Sequence, residues 1–124
     1  MIQTTEQYVE VFNASLALSS VGGDQEFLTE LVGLTQAAWP TLLADLRNGM
    51  ARKDLHTVET TARLAKAAAR NVSAKRAYES AEELETMACK GDFPAAQGAV
   101  ASLEQEVELL QSFLATVGNS DCPQ

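Results

Sequence analysis

Val58, Ala62, Ala65, Ala69 and Val72 recur at intervals of three and four residues. That spacing brings side chains back to one side of an α-helix on every turn, so a helix with a single apolar stripe is predicted here. Asp54 stands where a cap belongs. The stripe is narrow and rich in alanine, which lets neighbouring helices approach closely.

The rest of the chain shows the same period. Tyr8, Val11, Phe12, Leu16 and Ala17 predict a first helix from Thr4 to about Leu18, and the turn from Ser19 to Gly23 ends in a glycine pair. Asp24 is expected to cap a second helix whose apolar face holds Phe27, Leu28, Leu31, Val32 and Leu34. Pro40 removes one backbone donor, so a kink near Ala37 is expected, with Leu42, Leu43 and Leu46 carrying the helix on to Asn48-Gly49. Trp39 reads as core. Ser73 is expected to cap a fourth helix through Ala77, Tyr78, Ala81, Leu84, Met87 and Ala88 to Lys90-Gly91, with Cys89 buried near its end. Asp92 and Pro94 open a fifth, with Val100, Leu103, Val107, Leu110 and Leu114 as its stripe, and Gly118 is expected to close it. Several amphipathic helices joined by short turns make an all-α fold. One domain is expected over residues 1–118, with a disordered tail over 119–124.

Charge narrows the function. The net charge is −8, which argues against nucleic acid as a partner, because phosphate binding needs a basic surface. All nine basic residues lie between Arg47 and Lys90. From Thr60 to Tyr78 the chain carries Arg63, Lys66, Arg70, Lys75 and Arg76 and no acidic residue, which predicts one basic face suited to an acidic protein partner. Cys89 and Cys122 form no metal motif and no disulfide framework. The Glu82-Glu83-Glu85 and Glu104-Glu106-Glu108 clusters read as solvated helix faces, and no metal or cofactor is expected. No basic, apolar segment of the secretory type opens the sequence, and Leu31–Ala44 is interrupted by Pro40 and too short to span a bilayer. A cytoplasmic protein without a membrane partner is expected.

Ala62-Arg63-Leu64-Ala65-Lys66-Ala67, followed by Ala68 to Ala74, resembles the signature of the histidine phosphotransfer (HPt) domains of bacterial phosphorelays. That family usually reads Ala-His-x-Leu-Lys-Gly, a few small residues, then Asn-x-Gly-Ala. Lys66, Arg70, Asn71 and Ala74 keep the pattern without insertion or deletion. Arg63 stands at the phosphoacceptor position, Ala65 at the leucine, Ala67 at the first glycine and Ser73 at the second. Gly22-Gly23-Asp24 with Phe27-Leu28 and Glu30-Leu31, then Leu84-Glu85, Gly91-Asp92 and Leu103-Glu104, extend the likeness over residues 16 to 117. The resemblance implies an antiparallel, up-down four-helix bundle with an additional N-terminal helix. It implies a role in two-component signal transduction, with a response-regulator receiver domain or a hybrid histidine kinase as partner.

Arg63 decides the chemistry. Phosphotransfer needs a nitrogen lone pair, which neutral imidazole has and a guanidinium does not. No catalytic residue is therefore assigned, and the expectation is a pseudo-phosphotransfer domain that is not an enzyme. Arg63, Lys66 and Arg70 share one flank of the third helix, with Ala67 between them. Arg63 reads either as a surface arginine paired with Glu59 or as a cation docking into the acidic pocket of a receiver. Ala67 adds one methyl group where the family's glycine lets the partner approach. Leu64 reads as a surface leucine touching the N-terminal helix, or as an apolar anchor for a partner. His56, the sole histidine, is the one possible relocated phosphoacceptor; it lies two turns before Arg63, about 10 Å along the axis. A third reading is a helical scaffold that no longer binds receivers, as a monomer or a homodimer.

Overall fold

The computed structural model describes residues 11–120. It contains a short helix α1 (Ala14–Ser20) and four longer ones, α2 (Gln25–Ala51), α3 (Leu55–Asn71), α4 (Lys75–Cys89) and α5 (Phe93–Ser120). Consecutive long helices pack against each other, and α2 also packs against α5, closing a four-helix ring. Two contacts fix the direction of that closure. Arg47 reaches Glu104 and Gln111 reaches Gln36, so α2 and α5 run antiparallel. The all-α, up-down bundle with an additional N-terminal helix expected from the sequence is therefore present.

Side chains start the helices where short polar residues stand at the cap position. Asn13 accepts from Leu16 N at 2.9 Å, Asp24 from Phe27 N at 3.0 Å, Asp54 from Thr57 N at 3.2 Å and Asp92 from Ala95 N at 3.1 Å. Asp54 also accepts from the Thr57 hydroxyl at 2.7 Å, and this bond, more than the backbone one, holds its carboxyl below the usual aspartate range. The α4 start departs from expectation. Ala74 occupies the cap position with no side-chain bond, and Ser73 belongs to the end of α3 instead.

One turn recurs at the ends of α1, α2, α3 and α4. A residue with positive φ (Gly22, Lys53, Ser73 or Gly91) is followed by one whose N–H reaches back five residues. Those bonds are Gly23 N to Leu18 O, Asp54 N to Gly49 O, Ala74 N to Ala69 O and Asp92 N to Met87 O, at 2.8, 2.8, 2.9 and 3.1 Å. This is the left-handed closure that glycine adopts most easily. Lys53 and Ser73 adopt it with a Cβ, at φ 57° and 56°.

The core is where the stripes placed it, with a few displacements. Val58, Ala62, Ala65, Ala69 and Val72 are all wholly buried, as are Leu103, Leu110, Leu114 and Trp39. The inward seam of α2 is Leu28, Val32, Thr35, Trp39, Leu42, Leu46 and Gly49. Phe27 and Leu34 lie one position outside that seam and are exposed, not core, at 49% and 70%. Leu16 and Cys89, both expected inside, are likewise exposed because Ala17 and Ala88 take the inward positions. Gly49 lies where α2 and α3 come closest: a Cβ there would sit 2.9 Å from Val58 Cγ2.

Two helix boundaries also differ from expectation. The first helix is interrupted at Phe12–Asn13 and restarts at Ala14, while Thr4 to Glu10 lie outside the described residues. The last helix continues through Gly118 to Ser120, into the expected tail, and residues 121–124 lie outside the described residues. α2 passes through Pro40 unbroken to Ala51. Pro40 has no N–H for the Gln36 carbonyl four residues earlier. The Gln111 amide on α5 supplies one, with Nε2 donating to Gln36 O at 3.1 Å.

Candidate functional site

Burial of the alanine stripe turns the opposite flank of α3 outward. Arg63, Leu64, Ala67 and Arg70 are exposed and Lys66 is half-buried, so the five residues singled out from the sequence share one accessible surface. Arg63 keeps 57% of its side chain in solvent, and Leu64 is 55% exposed. His56 is exposed in the first turn of α3.

The neighbouring helix α4 completes the surface. Glu85 lies between the two cations nearest the middle of α3. Its Oε1 accepts from Lys66 Nζ at 2.8 Å, and its Oε2 accepts from Arg63 Nε at 3.0 Å. Arg63 Nη2 also donates to Glu59 Oε2 at 3.2 Å, one helical turn back. Tyr78 serves the other end of the flank. Its hydroxyl accepts from Arg70 Nη2 at 3.0 Å, and its ring lies 5.3 Å from the Arg70 guanidinium and 5.7 Å from Lys66 Nζ.

These contacts reinforce the charged forms of Lys66 and Glu85. The hydrogen bond to Glu85 raises the Lys66 ammonium above its ordinary value, and the same bond, with Arg63 behind it, holds the Glu85 carboxyl below the usual range. Lys66 therefore stays an ammonium at neutral pH, and a guanidinium such as that of Arg63 offers only donors, so neither provides a nucleophilic lone pair. What this flank can do is donate hydrogen bonds to anions. Among the described residues no group of three His, Cys, Asp or Glu side chains could hold a metal ion, and no helix is long and apolar enough to cross a membrane.

The sequence window from Thr60 to Tyr78 contains no acid, yet the face it forms is partly neutralised. Glu85 stands outside the window and arrives through the α3–α4 packing. The acidic clusters are correspondingly less solvated than expected, since Glu104 pairs with Arg47 at 2.7 Å and Glu106 with Arg76 at 2.8 Å. Tyr78, expected as core, is only partly buried and works on this face. The signal that could have found Glu85 is weak: it stands next to Leu84, which points into the core, and so had to lie at the edge of a helix interface.

The chain superimposes with a TM-score of 0.81 on the crystal structure of the HPt domain from the HPt sensor hybrid histidine kinase of Shewanella, covering 94% of this chain and 99% of that one. The fold is that of a histidine phosphotransfer domain. Sequence identity to that HPt domain is 14%, so the likeness is one of backbone architecture. No family model matches the sequence, and no curated protein does.

Proposed function

We propose that this chain is a phosphorelay module that binds a response-regulator receiver domain, alone or within a hybrid histidine kinase, and takes no phosphoryl group from it. The observation that carries this reading is the exposure of Arg63 on α3 of an HPt-type fold, flanked by Lys66 and Arg70, at the position that the sequence resemblance matches to the phosphoacceptor. A receiver presents acidic side chains around its phosphorylated aspartate. A guanidinium can give such carboxylates paired hydrogen bonds, yet it has no lone pair with which to attack phosphorus. Leu64 and the exposed methyl group of Ala67 add apolar area beside the cations. Such a module would sequester a receiver or compete with an active phosphotransfer protein in the cytoplasm.

Two other readings each have an observation in their favour. Exposure of His56 favours phosphotransfer through a relocated acceptor. In that reaction the P–O bond of the receiver's aspartyl phosphate breaks, a P–N bond to the imidazole forms, and aspartate leaves as carboxylate. The geometry is poor, because a receiver docked over Arg63 would have to slide about 10 Å along α3. The exposed apolar side chains of Leu16, Phe27 and Leu34 favour a scaffold that pairs with itself or another protein.

Calorimetric titration with receiver domains of the same cell, at low and moderate salt, tests the proposal. Salt-sensitive binding to one receiver, weakened at least tenfold in an Arg63→Ala/Lys66→Ala variant of unchanged helicity, is the expected result. Equal affinity of that variant would remove Arg63 and Lys66 from the interface.

A further inference from the structure

Glu85 treats Arg63 and Lys66 as a partner's carboxylate would. Its two oxygens divide between the two cations, at 3.0 Å from Arg63 Nε and 2.8 Å from Lys66 Nζ, in a bridge between α3 and α4. Glu85 itself is only 19% exposed, and Lys66 21%, whereas Arg63 remains mostly open. The set Arg63, Lys66 and Arg70 carries three positive charges, and Glu59 and Glu85 cancel two of them. A surface described by its basic residues alone overstates the field that an approaching acidic protein meets.

We infer that Glu85 is a built-in competitor for the carboxylate-binding site formed by Arg63 and Lys66, so that an acidic partner gains these two cations only by displacing Glu85 or sharing them with it. The inference rests on the proposed receiver-binding function and adds a threshold to it. Two of the guanidinium's five donors are committed, Nε to Glu85 and one on Nη2 to Glu59. The remaining donors can take a first carboxylate without any rearrangement. Lys66 is less open: its side chain is largely covered and its ammonium already donates to Glu85, so a partner reaches it by sharing or displacing that carboxylate. A partner with one acidic group is met first by Arg63. A partner with several closely spaced carboxylates can replace Glu85 on both cations, and so gains more from the exchange. The bridge thereby selects for a dense acidic pocket over scattered surface acids. The downward shift of the Glu85 carboxyl agrees with this, since the bridge favours its ionised form.

The test is the receiver titration, performed with the wild-type chain, Glu85→Gln, Glu59→Gln and Arg63→Ala, each checked for helicity. Glu85→Gln keeps the side-chain shape and removes the charge. It should tighten receiver binding about three- to tenfold, the worth of one or two partly exposed ion pairs. Glu59→Gln, which frees one bond to Arg63 and none to Lys66, should tighten it less than Glu85→Gln. Unchanged affinity in Glu85→Gln, with binding weakened in Arg63→Ala, would overturn the competitor role and leave the receiver-binding function standing. Weaker binding in Glu85→Gln would overturn it too, by showing that Glu85 presents the cations to the partner. No binding to any receiver by either the wild-type chain or Glu85→Gln would overturn the proposed function and this inference together.

Discussion

Gln111 is predicted to be worth more to this protein because Pro40 is present. Pro40 leaves the Gln36 carbonyl without its intrahelical donor, and Gln111 Nε2 on α5 fills the gap at 3.1 Å. Gln111→Met keeps the length and helix propensity of the side chain and removes the donor. A buried acceptor left without a partner is worth roughly 1–3 kcal/mol. Gln36 and Gln111 are only partly buried, so water recovers some of this and the low half of that range applies, about 1–2 kcal/mol. A second effect opposes it. Gln111 Oε1 is buried with no partner among the described residues, and its removal relieves that burden. A double-mutant cycle separates the two, because the Oε1 contribution is the same in both backgrounds. In Pro40→Ala the new N–H can bond Gln36 O directly, and the effect of Gln111→Met should shrink by about 1–2 kcal/mol relative to the wild-type background. Urea unfolding followed by circular dichroism of all four proteins measures this. Equal effects of Gln111→Met in the two backgrounds, within about 0.3 kcal/mol, would refute the reasoning.

Other consequences follow from the turns, the close approach and the bridge. Ser73→Gly should stabilise the chain by about 0.5–1 kcal/mol in urea unfolding, since glycine relieves a left-handed residue at some cost in unfolded-chain entropy. Gly49→Ala should destabilise despite the better helix propensity of alanine, by about 1–2 kcal/mol, because its Cβ meets the buried Val58; much of the loss should be absent in a Val58→Ala background. Glu85 has a lowered pKa when folded, so its contribution is complete above its unfolded value and is lost as pH falls through the folded one; Lys66 has a raised pKa, so its contribution is complete below its unfolded value and is lost as pH rises through the folded one. Glu85→Gln should therefore make the thermal midpoint less sensitive to pH on both the acid and the alkaline limbs.

The stripe of α3 was legible because every member of it is alanine or valine at strict helical spacing, and all five are wholly buried. The caps at Asp24, Asp54 and Asp92 were equally legible, since an Asp before an apolar periodic run has one obvious bond to make. α2 was harder. Its residues Phe27, Leu31 and Leu34 form an apolar row beside the true seam, and periodicity alone cannot say which of two adjacent rows faces inward. Ser73 misled because serine is a good cap by type, whereas backbone closure put it in the left-handed position that glycine adopts most easily. The site was legible only on one side. Arg63, Lys66 and Arg70 follow from spacing along a single helix, but Glu85 and Tyr78 come from the next helix, and their placement depends on how α3 and α4 rotate against each other. Charges that meet across a helix interface leave no pattern in a linear window.

The central claim is that an HPt-type fold keeps its receiver contact without its reaction. It is tested most directly by mixing this chain with a receiver carrying radiolabelled aspartyl phosphate and separating the products on native and denaturing gels. The account predicts a complex on the native gel, with all label remaining on the receiver or released as inorganic phosphate and none on this chain. Acid-labile label on this chain, lost in His56→Ala, would contradict it in favour of a relocated acceptor, and failure to form a complex with any receiver would contradict it in favour of a bundle with another partner.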